Sequence, residues 1–346
     1  MTMATDMNPG IVPASRNQAN PRPNGQRIVW AVSAALFVAA PFVLEQYWLY
    51  WICLIAINAI SATGLNILSG YTGQASLGQA AFMGVGAYTV ALLDIRVGTS
   101  FLVNVPVAGV VAALAGLVVG IPSLRVKGLY IAIATIAASV ILEFIFANWE
   151  PVTNGMRGLT MQPARLFGTS LDQPRHLYWI IVPVAVLLVK MAANLFRTRI
   201  GRAFIAIRDR DISAELLGIP LFKYKLLSFG LASFYAGVAG GLWAYFFRVV
   251  TPQSFPIETS IFFLAAIIVG GMGTIGGGIV GAAFMTLVPE LLRVGLTWSG
   301  SWMTDSATVI PSVRIIVFGA LIVGFLRLEP QGLTELFVRM RRGRVG

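Results

Sequence analysis

Few residues in this chain are spaced to do chemistry. Gly271-Met272-Gly273-Thr274-Ile275-Gly276 has the G-x-G-x-x-G spacing that can cradle a pyrophosphate. That use requires a preceding strand and a ribose-binding acid; here the motif interrupts an apolar run, so a nucleotide site is not expected. There is no G-x-x-x-x-G-K-[ST] phosphate loop, which removes ATP hydrolysis by that route. His176 is the only histidine and adjoins an apolar segment, where interfacial packing is its expected role. Cys53 is the only cysteine, so no intrachain disulfide can form. No cluster of metal ligands and no nucleophile triad occurs. The chain is therefore not expected to be an enzyme, and neither a metal nor a cofactor of its own is expected.

A second group of residues suits the passage of a polar solute. Between Leu68 and Tyr88 several glycines are interleaved with Tyr71, Thr72, Gln74, Ser76 and Gln79. Uncharged polar side chains between two apolar runs cost free energy in lipid unless they face a cavity, another helix or water. Glycine-interrupted segments at matching places in two halves point to a transport site, and close helix packing is their competing use. The stretch Val269 to Met285 is the second such segment, and both contain Ala-Ala-Phe-Met, at 80–83 and 282–285. Glu143 is the one carboxylate well inside an apolar run, where a charge costs roughly 2.5–3.5 kcal/mol. It should face protein or water, in a pathway or in a structural hydrogen bond near the segment's end. Tyr71, Gln74, Ser76, Gln79 and Glu143 are thus the candidates for a translocation pathway.

The third group lies between apolar runs. Gly201 to Pro220 predicts a helix over about 202–217, with Gly218 suited to a left-handed stop and Pro220 barring continuation. At 100° per residue, Ile205, Ile212 and Leu216 share one stripe, while Ala203, Ile207, Ala214 and Leu217 share another nearly opposite, with charges between them. A helix lying on lipid would show a single broad apolar face. Two stripes suit a helix gripped by protein on more than one side, and an ordinary loop helix covering the inner end of the bundle is the alternative.

The elements that must position these groups follow from composition. Of 346 residues, 57% are hydrophobic and 11% charged, too little polar surface to coat a soluble globule of this size. The expected class is an all-α, polytopic integral membrane protein with about 9 to 10 transmembrane segments, some broken or re-entrant at glycines. Apolar segments run at about 28–44, 47–68, 78–93, 101–121, 129–147, 177–196, 226–247, 259–270, 277–294 and 311–326. The eighth is short for a bilayer core of about 30 Å, so 259–294 could be one broken helix, a re-entrant pair or two short spans. Residues 1–27 read as a flexible arm, 28–326 as the transmembrane domain and 327–346 as a basic tail. With two crossings in 259–294, both termini and the stretches 122–128 and 197–225 fall on one side, which collects most of the 25 Lys and Arg. Positive charge is retained in the cytoplasm, so that side and both termini are expected there, with the loop 148–176 outside. The formal charge of +11 is thus a matter of topology and lipid contact, and no nucleic acid is implied.

Residues 64–89, 201–226, 236–255 and 267–284 resemble, in order, the permease subunits of the branched-chain amino acid ABC importers, of the LivM type. The similarity covers most of residues 45–327. It implies a multi-pass subunit of the bacterial inner membrane that works by alternating access. Its implied partners are a second homologous permease, two cytoplasmic ATPases that bind the ATP, and a periplasmic solute-binding protein. In that resemblance 201–218 is the ATPase-docking loop, with Arg202, Arg208, Asp211, Glu215 and Gly218 as coupling residues. Ala214-Glu215 and Gly218 stand where the family has its Glu-Ala and Gly, although Leu216 and Leu217 follow in place of two alanines. Related systems carry urea, short-chain amides or small carboxylates, so substrate is less specific than family. A stand-alone secondary transporter or channel is the competing class. The scarcity of intramembrane Asp, Glu and His counts against a proton relay, though backbone carbonyls could still bind Na⁺.

Overall fold

The computed structural model describes residues 37, 39–125, 128–166, 169–170, 172–298, 319–320, 324 and 332–334. Residues up to Glu45 form a unit separate from Gln46 onward, and the latter carries the fold. Its helices are α1 (Gln46–Leu65), α2 (Gln79–Leu92), α3 (Phe101–Ser123), α4 (Leu129–Asn148), the short α5 (Glu150–Thr153), α6 (Pro174–Leu195), α7 (Arg199–Asp209), α8 (Asp211–Leu216), α9 (Leu221–Phe247), α10 (Ile257–Gly270) and α11 (Ile275–Trp298). Wider π-helical turns extend α1 through Asn66–Tyr71 and α2 through Leu93–Val97.

Among the described residues seven helical stretches are long and apolar enough to cross a membrane, and the apolar part of α11 is shorter. The expected segments 28–44 and 311–326, the arm 1–27 and most of the tail 327–346 lie outside the described residues. Small two-stranded pairings add to the expected all-helical fold. Leu159–Thr160 pairs antiparallel with Val249–Val250, and Arg165–Leu166 with Thr169–Ser170. Runs of two residues are too short to show a period of two, so nothing in the pattern announces them.

α1 and α9 form the centre: 78% and 72% of their apolar windows are buried, against 33%, 28% and 33% for α3, α4 and α6. Leu114 and Val118 of α3 and Ile133 and Phe144 of α4 face outward. Apolar side chains gain little by leaving lipid for one another, so close backbone approach has to hold such a bundle. The α2–α9 crossing shows it. A methyl group at Gly86 would overlap the Gly237 backbone, and one at Gly240 would overlap the Met83 carbonyl.

The contacts sort the helix ends into two groups. At one end, Tyr71 meets Phe196, Gln74 meets Ser228, and Asn66 meets Thr274. At the other, Tyr47 donates to Glu290, Asn104 to the Tyr245 hydroxyl and Arg96 to the Pro151 carbonyl. The segment 259–294 is resolved into a hairpin. α10 and α11 pack antiparallel across Gly270, Gly277 and Gly281, and Gly271 at φ 118° makes the turn. The 14 residues of α10 reach about 21 Å by themselves at 1.5 Å per residue. The stretch counted as able to cross is the 19 residues Pro252–Gly270, which adds the turn before α10.

Candidate functional site

The predicted polar stretch is an unwound segment. After Thr72 the chain leaves helical geometry until α2 starts at Gln79, and its freed backbone groups are taken up by side chains of α4, α10 and the end of α1. Thr135 Oγ1 of α4 accepts from Leu77 N at 3.0 Å, and Ser139 Oγ donates to the Leu77 carbonyl at 3.2 Å. Ser260 Oγ of α10 accepts from Ala80 N at 2.9 Å, and Ser69 Oγ donates to the Gln74 carbonyl at 2.9 Å. Non-helical backbone inside an apolar bundle persists only when its polar groups find such partners.

Tyr71, Gln74, Ser76 and Gln79 come together here, all buried. The Tyr71 ring stacks on Phe196 with centroids 3.5 Å apart. Gln74 Nε2 donates to Ser228 Oγ at 2.8 Å and to the Lys225 carbonyl at 3.3 Å, and its buried Oε1 has no partner. Ser76 Oγ accepts from Gly78 N at 3.3 Å. Gln79 Nε2 donates to the Ser61 carbonyl at 2.8 Å and to Ser61 Oγ at 3.2 Å. Glu143 is half-buried on α4, one turn beyond Ser139 on the stripe that carries Thr135. It shares a face with the groups that hold the unwound segment.

The loop helix differs from the single rod expected over 202–217. It breaks at Arg210, whose extended backbone (φ −156°, ψ 102°) separates α7 from α8. Asp211 Oδ1 accepts from Ile212 N at 2.9 Å, a local bond that competes with continued helix and starts α8. Asp211 also lies 3.7 Å from Lys225 Nζ. Thr198 caps the start of α7 through Gly201 N. Gly218 adopts φ +81°, the left-handed stop. Of the inward stripe, Ala203, Ile207 and Ala214 are buried and Leu217 is not. The other stripe is open: Ile212 is 72% exposed, Leu216 84%, and Leu217 beside them 80%. Glu215 is exposed beside this patch on α8, and Arg202 is exposed on the first turn of α7. Arg208 is also exposed, yet its Nη1 reaches back to the Gly70 carbonyl at 2.8 Å.

Sequence reasoning missed Asn66. It is buried, donates from Nδ2 to the Thr274 carbonyl at 2.6 Å and accepts from Gly273 N at 2.9 Å, which fastens α1 to the hairpin tip. An amide inside an apolar run was the available signal. The two Ala-Ala-Phe-Met copies fall on α2 and α11, each following a glycine-rich break. The first opens its helix and the second lies two turns into its own.

Polar groups are gathered within apolar helices here, and among the described residues no group of three or more His, Cys, Asp or Glu could hold a metal ion. Seven apolar helical stretches around such a polar segment are the build of a multi-pass membrane protein. The family described as the branched-chain amino acid transport system permease component matches residues 47–326, and the chain belongs to it. It is 30% identical over 335 residues to the high-affinity branched-chain amino acid transport system permease protein LivM of Escherichia coli K12, covering 90% of this chain and 75% of that protein. A probable branched-chain amino acid transport permease protein LivH of Methanocaldococcus jannaschii is 28% identical over 79% of this chain and 87% of its own length. The ribose import permease protein RbsC of Escherichia coli K12 is 26% identical over 71% of this chain and 76% of its own length. No solved structure matches the chain.

Proposed function

We propose that this chain is the membrane-spanning subunit of a bacterial inner-membrane ABC importer that brings branched-chain or related small amino acids into the cytoplasm. Separate ATPases would grip the exposed α7–α8 loop, a second homologous permease would pair with the bundle, and a periplasmic solute-binding protein would deliver the substrate. The likeness to LivM over 90% of the chain carries the substrate class. The open patch of Ile212, Leu216 and Leu217 carries the docking reading, because apolar side chains that bare suit a protein partner. Alternating access then follows from motion of the loop relayed to the unwound segment 73–78, beside which the solute passes Tyr71, Gln74, Ser76, Gln79 and Glu143.

The end holding 122–128, 197–225 and the hairpin tip is assigned to the cytoplasm by its positive charge. The tail supports placing the C terminus there too, since Thr334 donates to the Gly270 carbonyl at that tip. Single cysteines test the sidedness in a Cys53→Ala background; Cys53 is itself fully buried. An impermeant thiol reagent applied outside intact cells should label Met156→Cys and spare Ser213→Cys. The opposite pattern would reverse the orientation.

A further inference from the structure

We propose that Arg208 is a latch: a positioning residue that ties the docking helix to the unwound end of α1 and to the α10–α11 hairpin tip, so that the three move together. The inference rests on the reading of 199–217 as the docking loop and names the contact through which that loop acts. Past Thr72 the helix stops; the Leu68 carbonyl takes Gln74 N at 3.2 Å and the Ile67 carbonyl the Thr72 hydroxyl at 2.9 Å, while the Gly70 carbonyl lies where the helix dipole ends in partial negative charge. Arg208 supplies a donor there, from Nη1 to the Gly70 carbonyl at 2.8 Å. The same nitrogen lies against Gly273, where an added methyl would overlap it and come within 3.4 Å of Cζ. A methyl at Gly73 would lie 3.5–3.7 Å from Cα, Cβ and Cγ of Arg208, so the stem crosses one glycine and the head another.

Around this contact the tip is held on two further sides. Asn66 takes Gly273 N and the Thr274 carbonyl, and Leu333 packs against Ala265, Ala266, Val269 and Met285. The hairpin tip thus has firm seats on α1 and on the tail, and one charged contact to the loop that a partner would move. A planar guanidinium can reach a carbonyl and lie flat on a glycine together, which an ammonium cannot reproduce.

The test uses the assembled complex, co-expressed with its own ATPases and second permease and reconstituted with its solute-binding protein. Arg208→Ala and Gly273→Ala are each expected to co-purify with the ATPases as wild type does, while uptake per ATP hydrolysed falls about tenfold. The double variant should be no worse than either single change, because both remove one contact, and Arg208→Lys should recover only part. Unchanged uptake per ATP in Arg208→Ala, full recovery in Arg208→Lys, or losses that multiply in the double variant would overturn the latch. Loss of the ATPases from Arg208→Ala would overturn it as well, by making Arg208 a partner contact. If Gly273→Ala fails to insert, because φ there is +74°, Arg208→Ala against Arg208→Lys decides alone. A wild-type chain that never assembles with the ATPases would refute the docking reading itself.

Discussion

Leu216→Asp combined with Leu217→Asp is expected to abolish uptake while leaving the protein inserted in the membrane. Both side chains are at least 80% exposed in the chain by itself. Their replacement therefore costs the fold little, within about 0.5 kcal/mol as for other surface changes. In the complex each new carboxylate would be buried in an apolar contact, and an unpaired buried charge costs several kcal/mol. Two of them would weaken ATPase binding by more than about a hundredfold, since each 1.4 kcal/mol is tenfold. Gly218→Val should act alike by another route. Nothing lies within 4 Å of a methyl added there, so crowding plays no part, but φ +81° is costly for a branched residue. That strain of about 1–3 kcal/mol would unwind the end of α8. Co-purification of the ATPases together with normal uptake in these variants would remove the docking assignment.

Leu at Gln74 is expected to lower uptake per assembled complex by about tenfold, the equivalent of roughly 1.4 kcal/mol, with assembly near wild type. A solute with both charges and an apolar side chain needs uncharged hydrogen-bonding groups that release it readily. Gln74 keeps a buried Oε1 without a partner, the acceptor such a solute would use. Gln74's two partners stay bonded to each other when the amide is removed, since Ser228 Oγ donates to the Lys225 carbonyl at 2.8 Å. Gln79→Leu should behave differently, because it takes from Ser61 the amide that holds it at two atoms. Leaving the buried Ser61 groups unpaired costs about 1–3 kcal/mol, so inserted protein and uptake should fall together. Ser76→Leu loses the cap on Gly78 N and adds bulk, and should also lower yield. Uptake per complex at wild-type level in Gln74→Leu would take this segment out of the pathway.

The long elements were legible because lipid imposes a simple requirement, about 20 apolar residues for each crossing. The run at 101–121 became a helix over Phe101–Ser123, and the run at 129–147 became Leu129–Asn148. The unwinding after Thr72 could be foreseen from its polar side chains, since such a cluster has no use in a lipid-facing helix. The break at Arg210 could not. Arg208-Asp209-Arg210-Asp211 contains no Gly or Pro, and the kink depends on an Asp211 bond to its own neighbour. Nor could the contact of Arg208 with Gly70, 138 residues away, because sequence shows that an arginine is exposed and not where its long stem turns. Asn66 escaped for the same reason, its partners being more than 200 positions downstream.

Uptake into proteoliposomes tests the central claim most directly: energy enters through partner ATPases and the cargo is a small amino acid. The complete complex, with ATP on the side of the α7–α8 loop and the loaded solute-binding protein on the other, should accumulate radiolabelled leucine, isoleucine or valine. The same chain without the ATPases should accumulate none, whatever ion gradient is imposed. Accumulation by the chain alone under a Na⁺ or proton gradient would contradict the account and make the protein a secondary transporter.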